Sequence, residues 1–154
     1  MPEIIPVASV GLMRRLAAII YDLFLLVAVI LVAVSLFTIV VESVAGQSSS
    51  GELLENPWIK ALFQLYLYLV SALFYLWFWT HGGQTLGLKV WKLKVVANDL
   101  SEPDMKKAGL RLVWAIVTCI PFGLGYLWAL FNKDRLTLYD QLSGTRLVQI
   151  EAHN

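Results

Sequence analysis

Two ionisable residues interrupt the first long apolar run of the chain, and their spacing is its first chemical feature. Arg15 and Asp22 lie seven residues apart. On a helix that is two turns, about 10.5 Å, on one face. With Arg15 at a membrane interface, Asp22 falls within the hydrocarbon, where insertion scales charge an aspartate about 2.5–3.5 kcal/mol. Such a carboxylate needs a partner, a water-filled cavity or a proton. The sharper reading is proton or cation handling; the plainer one is a satisfied polar contact that fixes helix packing.

Gln64, Tyr68, Ser71 and Tyr75 recur at i, i+4, i+7 and i+11, one stripe of a second apolar segment. Facing lipid, the stripe would waste its hydrogen-bonding groups, so it is expected to face the bundle, beside Asp22 or against another helix. Asp140 stands in Leu138–Thr145. It suits a turn or cap in a solvated loop. If the tail folds back, it can instead pair with Arg15 through a charge-assisted bond.

These residues must be positioned by elements that composition places in a bilayer. The chain has 154 residues, 58% of them hydrophobic and 15% charged, with mean hydropathy +0.69. A water-soluble unit of this size could not hide so much apolar surface. The net charge of +1 points to no nucleic-acid partner. The uncharged run Leu23–Val41 is 19 residues. That exceeds the roughly 7–15 of a signal-peptide core, and the segment is expected to be retained. Full spans are expected at about residues 16–41 and 59–80, with Trp58, Trp77 and Trp79 as interfacial anchors.

A third segment, 112–131, holds Pro121, Gly123 and Gly125, and each half is too short to cross alone. It is either a kinked span or a re-entrant hairpin. The basic flanks favour re-entry. Arg14 and Arg15 precede span one, the loop 42–57 has three glutamates and no lysine or arginine, and Lys89 through Arg111 follow span two. By the positive-inside rule the N-terminus, the loop 81–108 and the tail 132–154 are cytoplasmic. Within them, Lys92–Val96 and Thr145–Ile150 alternate like half-buried strands and are expected to pair as a small cytoplasmic sheet. The predicted fold is an all-α membrane bundle, a single domain over 1–154, with this minor sheet.

Arg15-Leu16 with Asp22, then Gly83-Gln84-Thr85-Leu86-Gly87, Leu93-Lys94-Val95-Val96 and Asp140-x-x-Ser143-Gly144-Thr145, resembles the RDD family of small multi-helix membrane proteins. The resemblance covers about residues 14–149. It makes Arg15, Asp22 and Asp140 the family's arginine and two aspartates. Two departures stand out. Leu88 precedes Lys89, where family members often place lysine directly after the second glycine, and Ser143 stands where many have alanine. The resemblance implies a role in ion or solute transport.

Other chemistry is not indicated. Cys119 is the single cysteine, and His81 and His153 lack partners at metal spacing, so neither metal nor cofactor is expected. No nucleophile constellation suggests an enzyme. Two functions are expected to compete. One is ion- or proton-coupled transport in the cell membrane by an oligomer, with Asp22 as the working carboxylate and Arg15 and Asp140 setting its electrostatics. The other is an accessory protein that binds membrane-protein partners through a cytoplasmic patch containing Gly83, Gln84, Thr85, Gly87, Gly144 and Thr145.

Overall fold

A computed structural model describes residues 10–46, 50–119, 124–131 and 136–150. Seven helices and two strands are formed among these residues. Helix α1 (Leu12–Ala45) has no glycine or proline in its 34 residues and stops before Gly46, whose φ is +75°. At 1.5 Å per residue it is about 51 Å long, well beyond a hydrocarbon core of about 30 Å. A short helix, α2 (Ser50–Glu55), lies within the polar loop 42–57. Helix α3 (Pro57–Thr80) opens with proline at its first position, where the missing N–H costs nothing. Asn56 caps it, accepting from Trp58 N at 2.9 Å. Among the described residues, α1 and α3 are the helices long and apolar enough to cross a membrane, and almost none of their apolar windows is buried.

The remaining elements are α4 (Leu86–Val90), β1 (Leu93–Ala97), α5 (Met105–Cys119), α6 (Leu124–Phe131), α7 (Leu138–Ser143) and β2 (Thr145–Gln149). Strands β1 and β2 pair antiparallel, with Val95 opposite Leu147. This is the small sheet that the alternating runs predict. Helix α5 starts earlier than the apolar segment suggests, at Met105, because Asp104 accepts from Lys107 N at 2.8 Å and caps its first turn.

Residues 120–123, where the third segment is expected to break at Pro121 and Gly123, lie outside the described residues, as do Lys133 and Arg135 of the tail. A Cβ on Gly125 of α6 would collide with Thr118 of α5.

Two compact units divide the chain. One comprises residues 24–74, and the other comprises residues 1–23 and 75–154. Within the first, Phe37 of α1 packs on Phe63 and Tyr66 of α3 at centroid distances of 4.8 and 5.8 Å. The second has the principal core, where Leu93, Val95, Ala18, Ala108, Leu88 and Leu147 meet. All three residues of the arginine–aspartate resemblance belong to it.

Candidate functional site

The geometry of the second unit starts from helix α7. Thr137 is its N-cap and Asp140 its third residue, and the two make a reciprocal capping box. The Thr137 Oγ1 accepts from Asp140 N at 3.3 Å, and the Asp140 Oδ2 accepts from Thr137 N at 3.1 Å. This fixes the aspartate's rotamer by purely local means. Gly144 ends the helix in the left-handed conformation and turns the chain directly into β2.

The same carboxylate holds two guanidinium groups. Arg15 Nη1 lies 2.7 Å from Oδ2, and Arg111 Nη1 lies 2.6 Å from Oδ1. All three side chains are buried, Asp140 completely. Burial works to raise the Asp140 carboxyl, but the Arg111 and then the Arg15 guanidinium outweigh it and hold it below the ordinary value of 3.8. Arg111 also donates to Thr145 Oγ1 at 2.7 Å, and its guanidinium lies 4.9 Å from the Tyr139 ring and 5.3 Å from that of Trp79. Tail, first helix and α5 are thus tied at one carboxylate.

Asp22 has a separate set of partners. Its Oδ2 accepts from the Thr85 hydroxyl at 2.5 Å and its Oδ1 from Gly87 N at 2.9 Å. Thr85 is the N-cap of α4, and its oxygen also accepts from Leu88 N. Gly87 is a close-approach glycine, because a Cβ there would collide with the Ala18 carbonyl and stand 2.7 Å from the Asp22 carboxylate. Thr85→Val should therefore lower stability by about 1–3 kcal/mol, since a buried acceptor loses its donor and α4 its cap. Thr85→Ser should restore most of it. Thermal unfolding of the purified protein in mild detergent reads both, and an unperturbed Thr85→Val would reject the Asp22 contact as a stabilising one.

A cavity of about 270 Å³ adjoins both clusters, with Arg15, Asp22, Arg111, Tyr75 and Trp79 among its walls. Arg15 and Asp140, which the sequence allows to pair, are directly bonded. Asp22 faces the same cavity as Arg15, but its hydrogen bonds go to Thr85 and Gly87. Of the polar stripe, Tyr75 lines the cavity. Gln64 and Tyr68 are exposed, and Ser71 donates to Leu67 O of its own helix at 2.8 Å. Of the loop residues, Gln84 Nε2 donates to Leu93 O at 2.6 Å, and Gly83 O accepts from Val95 N at 2.7 Å. The structure adds Arg111 and Thr137 to the site. Arg111 is one of six basic residues between 89 and 111, and nothing in its neighbourhood singles it out. Thr137-x-x-Asp140 is a capping signature, a local signal that does point to the pair. No group of three His, Cys, Asp or Glu converges to hold a metal among the described residues.

Two lipid-length apolar helices and a buried arginine–aspartate–arginine cluster define a small, mostly helical protein of membrane type. The model of the RDD family matches residues 9–144, and the chain belongs to that family. Among curated proteins, an uncharacterized protein of Rickettsia prowazekii (strain Madrid E) is 28% identical over 82 residues, which is 53% of this chain and 45% of that relative. The match therefore spans less than half of the relative's length. No solved structure matches the chain.

Proposed function

We propose that this protein is transport-related, with Asp22 as the carboxylate that takes up and releases a proton or cation in the membrane. The observation that carries the reading is the position of Asp22. It is buried on an apolar helix, lines a cavity, and is held by two neutral donors, Thr85 and Gly87, with no cation bonded to it among the described residues. Neutral donors hold a carboxylate in place without pinning its charge as Arg15 and Arg111 pin that of Asp140. Division of labour follows: Asp140 is the permanent anchor and Asp22 the group free to change protonation.

The accessory reading needs an accessible patch at 83–87 and 144–145. Thr85, Gly87 and Thr145 are buried in internal contacts, which favours transport over docking. The proposed topology is multi-pass in the cell membrane with both termini cytoplasmic. The 112–131 segment re-enters, and the approach of Gly125 to Thr118 supports this. The working unit is an oligomer, because one chain offers few helices to enclose a path. Asp22→Asn in proteoliposomes should abolish proton- or cation-coupled flux while Arg15–Asp140 keeps the protein folded. Full flux in that variant, or none in the wild type, rejects the proposal. Labelling of a C-terminal cysteine from the outside would reject the topology.

A further inference from the structure

Helix α3 has two polar side chains that the unit of residues 24–74 does not use. Gln64 and Tyr68 are exposed, and no side-chain hydrogen bond or ring contact joins either to another described residue. Tyr68 is the twelfth of the 24 residues of α3, and Gln64 lies one turn, about 6 Å, nearer the Pro57 end. Both stand near the middle of a span, where no water serves an amide or a phenol. Other polar side chains of this unit turn back onto their own helix. Ser35 donates to Leu31 O at 2.9 Å, Thr38 to Val34 O at 3.0 Å and Ser71 to Leu67 O at 2.8 Å. Gln64 and Tyr68 make no such bond. They also lie away from the seam with α1, where Phe63 and Tyr66 pack on Phe37. At 3.6 residues per turn the two pairs are about 150° apart around α3. Ala61, Gln64, Leu65, Tyr68 and Ala72 recur at i, i+3, i+4, i+7 and i+11 and form one face. Small residues flank its polar centre, the composition through which helices associate in lipid.

We propose that two copies of the chain meet through this face of α3. Copies inserted with the same topology are related by a two-fold axis along the membrane normal, which sets like residues at like depth. Gln64 suits that symmetry, because an amide both donates and accepts and each copy satisfies the other with the same residue. The Tyr68 hydroxyl, also donor and acceptor, does so one turn further on. Ala61 and Ala72 let the two backbones approach on either side. An unrelated helix would have to bring matching polar groups to that depth; a second copy brings them by symmetry. This interface rests on the proposed oligomer and gives it a face, and it takes nothing from Asp22.

The full chain in phosphatidylcholine liposomes provides the test, read by energy transfer between labelled copies as the protein-to-lipid ratio is varied. Gln64→Leu keeps the size of the side chain and suits lipid, so it should fold normally. It should nevertheless weaken self-association about tenfold, which is about 1.4 kcal/mol. Tyr68→Phe removes only a hydroxyl and should weaken it severalfold, while Gln64→Asn keeps the amide and should recover part of the loss. Leu73→Ala, on an exposed side of α3 away from Gln64, should change nothing. Cross-linking identifies the partner. With Cys119, the single cysteine, replaced by alanine, Gln64→Cys should give a disulfide-linked homodimer on mild oxidation, because the position meets itself, and Leu73→Cys should not. A monomeric wild type, unchanged association in Gln64→Leu, or equal cross-linking through Leu73→Cys overturns the interface. Cross-links from Gln64→Cys only to a different polypeptide in native membranes overturn the second copy as its occupant. Association without Asp22-dependent flux would reject the transport reading and leave the interface standing, and flux from a protein that does not associate would reject the interface alone.

Discussion

Asp140→Asn is expected to cost the fold about 3–5 kcal/mol, the range for breaking a buried ion pair from one side. Asparagine has the same shape and keeps one acceptor, so packing hardly changes. What is lost is the negative charge between two guanidinium groups whose side chains are 2% and 4% exposed. Both cations then remain in a low-dielectric interior with no shared counter-charge. Arg15→Met should cost less, because it leaves Asp140 and Arg111 as a one-to-one pair. That order, aspartate worse than either arginine, is the signature of a shared carboxylate. It can be read from thermal unfolding of the variants in mild detergent, and an Arg15→Met loss as large as that of Asp140→Asn would refute it. The same anchor sets an acid limit. The folded carboxyl lies below its ordinary value, so its contribution is complete above the unfolded value near 3.9. It shrinks as pH falls through that value and vanishes only below the still lower folded one. Stability should be flat in this contribution from neutrality to about pH 5 and fall below about pH 4.

Why Asp140 can be foreseen as a partner of Arg15, and Arg111 cannot, is a matter of range. An aspartate in a polar tail and an arginine opening an apolar run are each conspicuous against their surroundings. Arg111 sits among lysines, and only the folded position of α5 distinguishes it. Lengths and periods are equally legible. Uncharged runs announce α1 and α3, and alternation announces the pairing of β1 with β2. The polar stripe of α3 shows the limit of periodicity. Its spacing is real, yet Ser71 satisfies its hydroxyl on the Leu67 carbonyl of its own turn, an option that spacing does not exclude. The early start of α5 is hidden because Lys106, Lys107 and Arg111 dilute the apolar signal, while its cap, Asp104, is local and readable. The partners of Asp22 are hidden differently. Thr85 and Gly87 stand out as part of a glycine-bounded loop, but their bonds to α1 join residues 63 and 65 positions apart.

Gly87 offers the sharpest test of that long-range contact. Gly87→Ala places a methyl group against the Ala18 carbonyl and 2.7 Å from Asp22 Oδ1. The first of these is backbone of α1, which cannot retreat without bending the helix, so relief must come from moving α4 away. That movement breaks the Gly87 N–H bond to Asp22. Overpacking costs about 1–3 kcal/mol, and the lost bond to a charged group about 1.5–3 kcal/mol. The expected loss is therefore about 3 kcal/mol or more. Gly109 is the control in the same unit. It lies inside α5, and a methyl group there would meet nothing within 4 Å, so Gly109→Ala should gain about 0.5–1 kcal/mol from helix propensity alone. Two identical substitutions are thus expected to shift unfolding in opposite directions. Gly87→Ala should also lose coupled flux, since the carboxylate deprived of its donor is the proposed working group, and Gly109→Ala should keep it. A Gly87→Ala protein as stable and as active as wild type would mean that α4 does not approach α1 closely enough to hold Asp22, and the division of labour between the two aspartates would fall with it.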